Sequence, residues 1–65
     1  MRFGEILKEL RSERGISQAT LAKQIGVSQK AIDYWERGIN EPKASYIVLL
    51  ADYFGVTCDF LLGKE

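Results

Sequence analysis

Sixty-five residues, 46% of them hydrophobic and seven aromatic, fit one small domain with a real core, although a chain this short hides only about 60% of its unfolded surface. One cysteine excludes an internal disulfide framework, and the lack of histidine argues against a zinc site. Nine basic and nine acidic residues cancel, which counts mildly against nucleic-acid binding, because phosphate neutralisation by Lys and Arg supplies most non-specific affinity.

No apolar run approaches the ~20 residues of a membrane span. The start, Met1-Arg2-Phe3-Gly4-Glu5, has no apolar block behind its positive charge, as a signal peptide would need. These features predict a cytoplasmic protein with no membrane partner, no metal and no cofactor.

In chain order, Phe3, Ile6, Leu7 and Leu10 fall at i, i+3, i+4 and i+7 and predict an amphipathic helix ending near Arg14, with Gly15 as its left-handed cap. Glu5, Lys8 and Glu9 occupy its solvated sides. Ser17 and Ser28 each precede a helical pattern, where a hydroxyl can accept from an unpaired N–H of the first turn. Leu21, Ala22 and Ile25 give the first of these helices one apolar face; Ile32 and Trp35, with small Ala31, give the second its own. Gly26 suits the turn between them, and apolar Val27 is placed to plug the corner. This helix-turn-helix occupies residues 17–37 and is closed by Gly38.

The loop Ile39-Asn40-Glu41-Pro42 carries the one proline. Since the residue before proline avoids the helical region, a fourth helix is predicted from about Pro42 or Lys43. Its core stripe is Ile47, Leu50, Ala51 and Phe54, and Gly55 ends it. Thr57 caps a last helix over residues 58–62, finished by Gly63. A glycine thus follows each of five predicted helices. No strand-like alternation competes, so the fold class is all-α: a compact five-helix bundle, one domain over residues 1–65.

If Ile32 and Trp35 face inward, then Gln29, Lys30, Asp33, Tyr34 and Arg37 face outward. These groups suit base reading. Glutamine can pair bidentately with adenine N6 and N7, lysine can donate to guanine O6 and N7, and aspartate can accept from cytosine N4. Tyr34 offers a ring edge for a thymine methyl and a hydroxyl for phosphate, while Ser28 can cap its helix and still reach a phosphate or base. The plainer alternative is an ordinary solvated face with a Lys30–Asp33 ion pair at i, i+3. From Arg11 to Lys43 six basic residues stand against four acidic ones, so a lone domain should bind weakly and useful affinity needs two.

The string Ser17-Gln18, Leu21-Ala22, Gly26-Val27-Ser28, Ile32, Trp35-Glu36-Arg37-Gly38, Pro42, Leu50-Ala51, Gly55-Val56-Thr57, Asp59 and Leu61-Leu62-Gly63 resembles the phage repressor/Cro-like (XRE) helix-turn-helix family over nearly the whole chain. Ala44, small where many relatives carry a larger apolar residue, and Leu49, apolar where many are polar, depart from it. The resemblance implies a lambda-repressor-like fold whose second motif helix lies in the DNA major groove with its N-terminal residues on base edges. It further implies a phosphate contact from Gln18 at the positive end of its helix, with Arg37, Asn40 and Lys43 as flanking phosphate contacts. Arg11 and Glu36 sit where the family often pairs an arginine with a glutamate, tying the recognition helix to the first helix.

Family dimers commonly pack through the C-terminal region. Tyr46, Leu49 and Tyr53 form a second stripe on the fourth helix, and Cys58, Phe60 and Leu61 cluster behind it. Residues 44–62 are therefore the expected dimerisation region, with Tyr46, Leu49, Cys58, Phe60 and Leu61 as interface candidates. Together these features imply a homodimeric transcriptional regulator of double-stranded DNA, most simply a repressor on a pseudo-palindromic operator. The alternative keeps the fold as a protein-interaction module, an antitoxin or adaptor. With no histidine, no paired carboxylates and no phosphate-binding glycine loop, an enzyme is not expected.

Overall fold

The computed structural model describes residues 2–64, and among them every regular element is a helix. The order is α1 (Phe3–Glu13), α2 (Gln18–Ile25), α3 (Gln29–Glu36), α4 (Ala44–Phe54) and α5 (Cys58–Leu61). The five-helix fold expected from periodicity is the fold observed.

Local chemistry starts and stops these helices. Ser17, Ser28 and Thr57 adopt extended backbone, and each side-chain oxygen accepts from the N–H three residues on: Thr20, Ala31 and Phe60 respectively. Each helix also closes the same way. A glycine at positive φ is followed by a residue whose N–H reaches back to a carbonyl five residues earlier. Val27 N–H meets Ala22 O at 3.0 Å, and Ile39 N–H meets Tyr34 O at 2.9 Å. Gly26, at φ +85°, makes the sharp corner between α2 and α3 that a residue with a Cβ would resist. Val27 packs half-buried into that corner.

The core draws one fully buried aliphatic side chain from every helix: Leu7, Leu21, Ile32, Leu50 and Leu61. Phe3, Ile6, Ala22, Trp35, Ala51 and Phe54 surround them. Burying one such side chain is worth roughly 1.5–3 kcal/mol, and a chain of this length divides that gain over all five helices.

Several boundaries and exposures differ from the sequence reading. α4 begins at Ala44, with Lys43 in the extended N-cap position and Pro42 buried ahead of the helix. α5 ends at Leu61, and Leu62 is its cap. Leu61, expected at an interface between subunits, has 0% exposure and belongs to the core of its own chain. Tyr46 and Tyr53 are not a free stripe either. The Tyr46 ring lies 5.7 Å from that of Trp35, and the Tyr53 ring 5.0 Å from that of Phe54, with Arg14 stacked over both Tyr53 and Phe54 at 5.3 Å. Trp35 of α3 and the Arg14 guanidinium after α1 cover what periodicity alone leaves unpartnered.

α1 and α3 touch at a site the apolar pattern does not mark. A Cβ placed on Gly4 would lie 2.5 Å from the Trp35 carbonyl oxygen and 2.6 Å from that of Glu36. Both are backbone atoms with little room to yield. Gly4→Ala should therefore destabilise the fold by about 1–3 kcal/mol, despite a helix-propensity gain of up to about 1 kcal/mol. Thermal unfolding of the two chains checks this, with a fall of several degrees expected; an unchanged midpoint would contradict the close packing.

Candidate nucleic-acid interface

The corner at Gly26 and the buried pair Ile32 and Trp35 set the rotation of α3 about its axis. Turning those two side chains into the core leaves Gln29 and Lys30, in the first turn, exposed on the opposite side. The Gln29 side chain makes no hydrogen bond or ion pair among the described residues, and Ser28 is occupied in capping Ala31 at 3.1 Å.

Behind this face runs a polar network linking three elements. Arg11 Nε donates to Glu36 Oε2 at 2.6 Å and Arg11 Nη2 to Glu36 Oε1 at 3.0 Å, a bidentate bridge from α1 to α3. Arg11 Nη1 donates to the Ile16 carbonyl at 2.9 Å, holding the α1–α2 turn. The Glu36 side chain is only 2% exposed and that of Arg11 14%. Hydrogen bonding to Glu36 raises the Arg11 pKa above its ordinary high value, outweighing the opposing effect of burial, so the guanidinium stays cationic wherever the protein is folded.

Gln18, at the start of α2, joins the same network. Its Nε2 donates to Glu36 Oε1 at 3.1 Å and to Asp33 Oδ1 at 3.3 Å. Two carboxylates dictate which end of the amide faces them, since only the NH₂ can donate. On the solvent side, Arg37 Nη1 donates to Asp33 Oδ2 at 3.0 Å. Lys30 Nζ lies 5.3 Å and the Arg37 guanidinium 5.9 Å from the centre of the Tyr34 ring, so two cations share one aromatic. Arg37, Asn40 and Lys43 are exposed along the edge leading to α4, whose N-terminus has no side-chain cap.

A shallow depression lies elsewhere, on α1, lined by Glu5, Lys8, Glu9, Ser12 and Glu13. Its three carboxylates make it unsuited to a phosphate backbone. No group of three or more Cys, Asp or Glu among the described residues could hold a metal ion, and no helix is long and apolar enough to cross a membrane.

The helix-turn-helix family pattern matches residues 7–61, most of the chain. The chain belongs to the XRE-type helix-turn-helix family. As a member, it is 38% identical over its whole length to the transcriptional activator BcrR of Enterococcus faecalis, spanning 32% of that protein. It is 37% identical over 63 residues to repressor protein C2 of Salmonella phage P22, which matches 97% of this chain and 29% of C2. The chain thus spans about a third of the length of these curated relatives. Among solved structures, the P22 c2 repressor in complex with a synthetic operator superimposes with a TM-score of 0.91 at 35% identity, covering 97% of this chain and 96% of that one. The fold is lambda-repressor-like.

Within this helix-turn-helix domain, the residues singled out from sequence fall into two groups. Gln29, Lys30, Arg37, Asn40 and Lys43 stand exposed, with Tyr34 partly so. Gln18 and Asp33 do not point their polar atoms freely outward but engage each other, and the ion pair of Asp33 is with Arg37 at i, i+4, not with Lys30. Sequence reasoning missed the Gln18 link to α3, which joins residues 18 apart and leaves no local signal. The Asp33–Arg37 spacing was a signal available in the register.

Removing one partner of a buried pair leaves an uncompensated charge, whereas replacing both with apolar groups does not. Glu36→Ala should cost roughly 3 kcal/mol in urea unfolding, and Arg11→Met combined with Glu36→Leu should recover most of it. Equal losses from the single and double changes would show that the bridge is not the cause.

Proposed function

We propose that this chain is the DNA-binding domain of a cytoplasmic transcriptional regulator, most simply a repressor, that inserts α3 into the major groove of a pseudo-palindromic operator. The observation that carries this reading is the exposed, unpartnered Gln29 beside Lys30 at the N-terminal end of a helix whose other side is buried. Gln29 suits adenine and Lys30 suits guanine, each good bidentate contact being worth roughly 1–3 kcal/mol of discrimination. Tyr34, with its two cations, sits one turn further along, where its ring edge suits a thymine methyl. Ser28, Arg37, Asn40 and Lys43 supply donors for the flanking phosphates, and the uncapped start of α4 beside Lys43 adds backbone N–H groups and the positive end of a helix dipole. At the start of α2 the Gln18 amide is turned inward, so the phosphate donors there are main-chain N–H groups.

The P22 relative is named as a repressor and its solved complex holds a synthetic operator, which supports the same reading here. A local excess of two positive charges between Arg11 and Lys43 favours binding by two copies. Leu49 and Phe60, 47% and 41% exposed, with half-buried Tyr46 and Cys58, are the surface we assign to the homodimer. Half-site centres then lie about one helical turn apart. Zero net charge and the carboxylate of Asp33 on α3 are the observations favouring a protein-interaction module instead.

Selection of bound sites from a random duplex pool separates the two readings, because a regulator enriches a symmetric sequence and an adaptor enriches none. On the selected duplex, Gln29→Ala should lose preference at one or two base pairs per half-site, while Lys43→Ala should weaken all duplexes alike. Uniform weakening by both would show that Gln29 reads no base.

A further inference from the structure

Asp33 is placed where a carboxylate works against DNA binding, on the outward half of the helix that the preceding reading puts in the groove. Both of its oxygens are taken by donors of this chain. Oδ2 accepts from Arg37 Nη1 at 3.0 Å, and Oδ1 accepts from Gln18 Nε2 at 3.3 Å. Its side chain is 33% exposed, so its charge is attenuated by solvent but still felt at the surface. The bond to Arg37 draws that guanidinium back along α3 and against the Tyr34 ring at 5.9 Å. Asp33 thus occupies one Arg37 donor and shares the Gln18 amide with Glu36, leaving the other Arg37 donors for phosphate, while Gln29 and Lys30, the base-reading candidates, are bonded to neither of its oxygens.

This arrangement acts unequally on two kinds of complex. A protein held only by the backbone samples many registers, and its affinity comes from phosphate contacts. In those registers Asp33 meets phosphates, repels them, and competes for Arg37. A protein seated with α3 in the groove presents the same face to base edges, and its register is set by the base contacts. A built-in repulsion against the wrong complex raises specificity without any new attraction to the right one.

We infer that Asp33 is a specificity-determining residue that suppresses backbone-only binding, so that a duplex is retained only where its base edges add to the affinity. This rests on the DNA-binding reading of α3.

Asp33→Asn tests it, since the variant keeps the side-chain shape and one acceptor but removes the charge. Binding is measured on the duplex recovered by selection and on a scrambled duplex of equal length, over a range of salt. Scrambled-duplex affinity should rise roughly tenfold at low salt, and selected-duplex affinity should rise less. The plot of log affinity against log salt for the scrambled duplex should steepen by about 0.9, the contribution of one further neutralised phosphate. In an Arg37→Ala background the same change should raise scrambled binding far less. A change confined to fold stability would leave the salt slope where it was, and that result overturns the inference. So does unchanged scrambled binding with lost preference at one base pair, which makes Asp33 a base reader. Equal weakening on both duplexes overturns it too, because the carboxylate would then be needed to aim Arg37. If the unaltered chain bound no duplex in a salt-dependent way, the DNA-binding reading itself would fall; failure of the present inference leaves that binding intact.

Discussion

The bidentate contact between Arg11 and Glu36 is the interaction on which the placement of α3 depends. One guanidinium reaches α3 through both Glu36 oxygens and the α1–α2 turn through the Ile16 carbonyl. A lysine at position 11 could not make the same three contacts, because only the planar fork offers donors in that geometry. The two ions are largely removed from water, so their net contribution to stability is small against the cost of desolvating them. What the bridge supplies is registry. With it in place, no buried side-chain polar atom among the described residues lacks a partner. Gln18 extends the arrangement to α2, so all three helices around the motif share one hydrogen-bonded centre.

Around that centre the fold is locally consistent. Hydroxyl caps begin α2, α3 and α5, a left-handed glycine follows every helix, and one fully buried aliphatic residue anchors each of the five. Agreement between local preference and global packing is the property that separates a unique fold from a compact ensemble. It matters for the proposed role, because a base-reading side chain displaced by even an ångström loses the geometry of a bidentate contact. Gly4 belongs to the same account. By omitting a Cβ it lets α1 approach the last carbonyls of α3.

What could be read in the sequence was what is encoded within a few residues. Helix periodicity, serine and threonine caps, and terminal glycines all act over one or two turns, and the five helices follow from them. The inward face of Ile32 and Trp35, and so the outward face carrying Gln29 and Lys30, is legible for the same reason. The Arg11–Glu36 pairing, 25 residues apart, came from family resemblance and not from spacing. Family resemblance assigns Gln18 to a phosphate, and nothing local shows that two carboxylates of α3 lie within its reach. Tyr46, Tyr53 and Leu61 read as spare apolar surface in the sequence because periodicity marks which side of a helix is apolar, not which neighbour covers it. The close approach at Gly4 is steric, and a glycine inside a helix leaves no direct trace of it in the chain.

Amide chemical-shift mapping tests the central claim, that the buried side of α3 forces its other side outward as the reading surface. Adding the selected duplex to isotopically labelled protein should move the amides of residues 28–34 and those near Lys43 most, leaving the outer face of α1 at Glu5, Glu9 and Glu13 unmoved. Shifts concentrated on α1 or α5, with residues 28–34 silent, would contradict it.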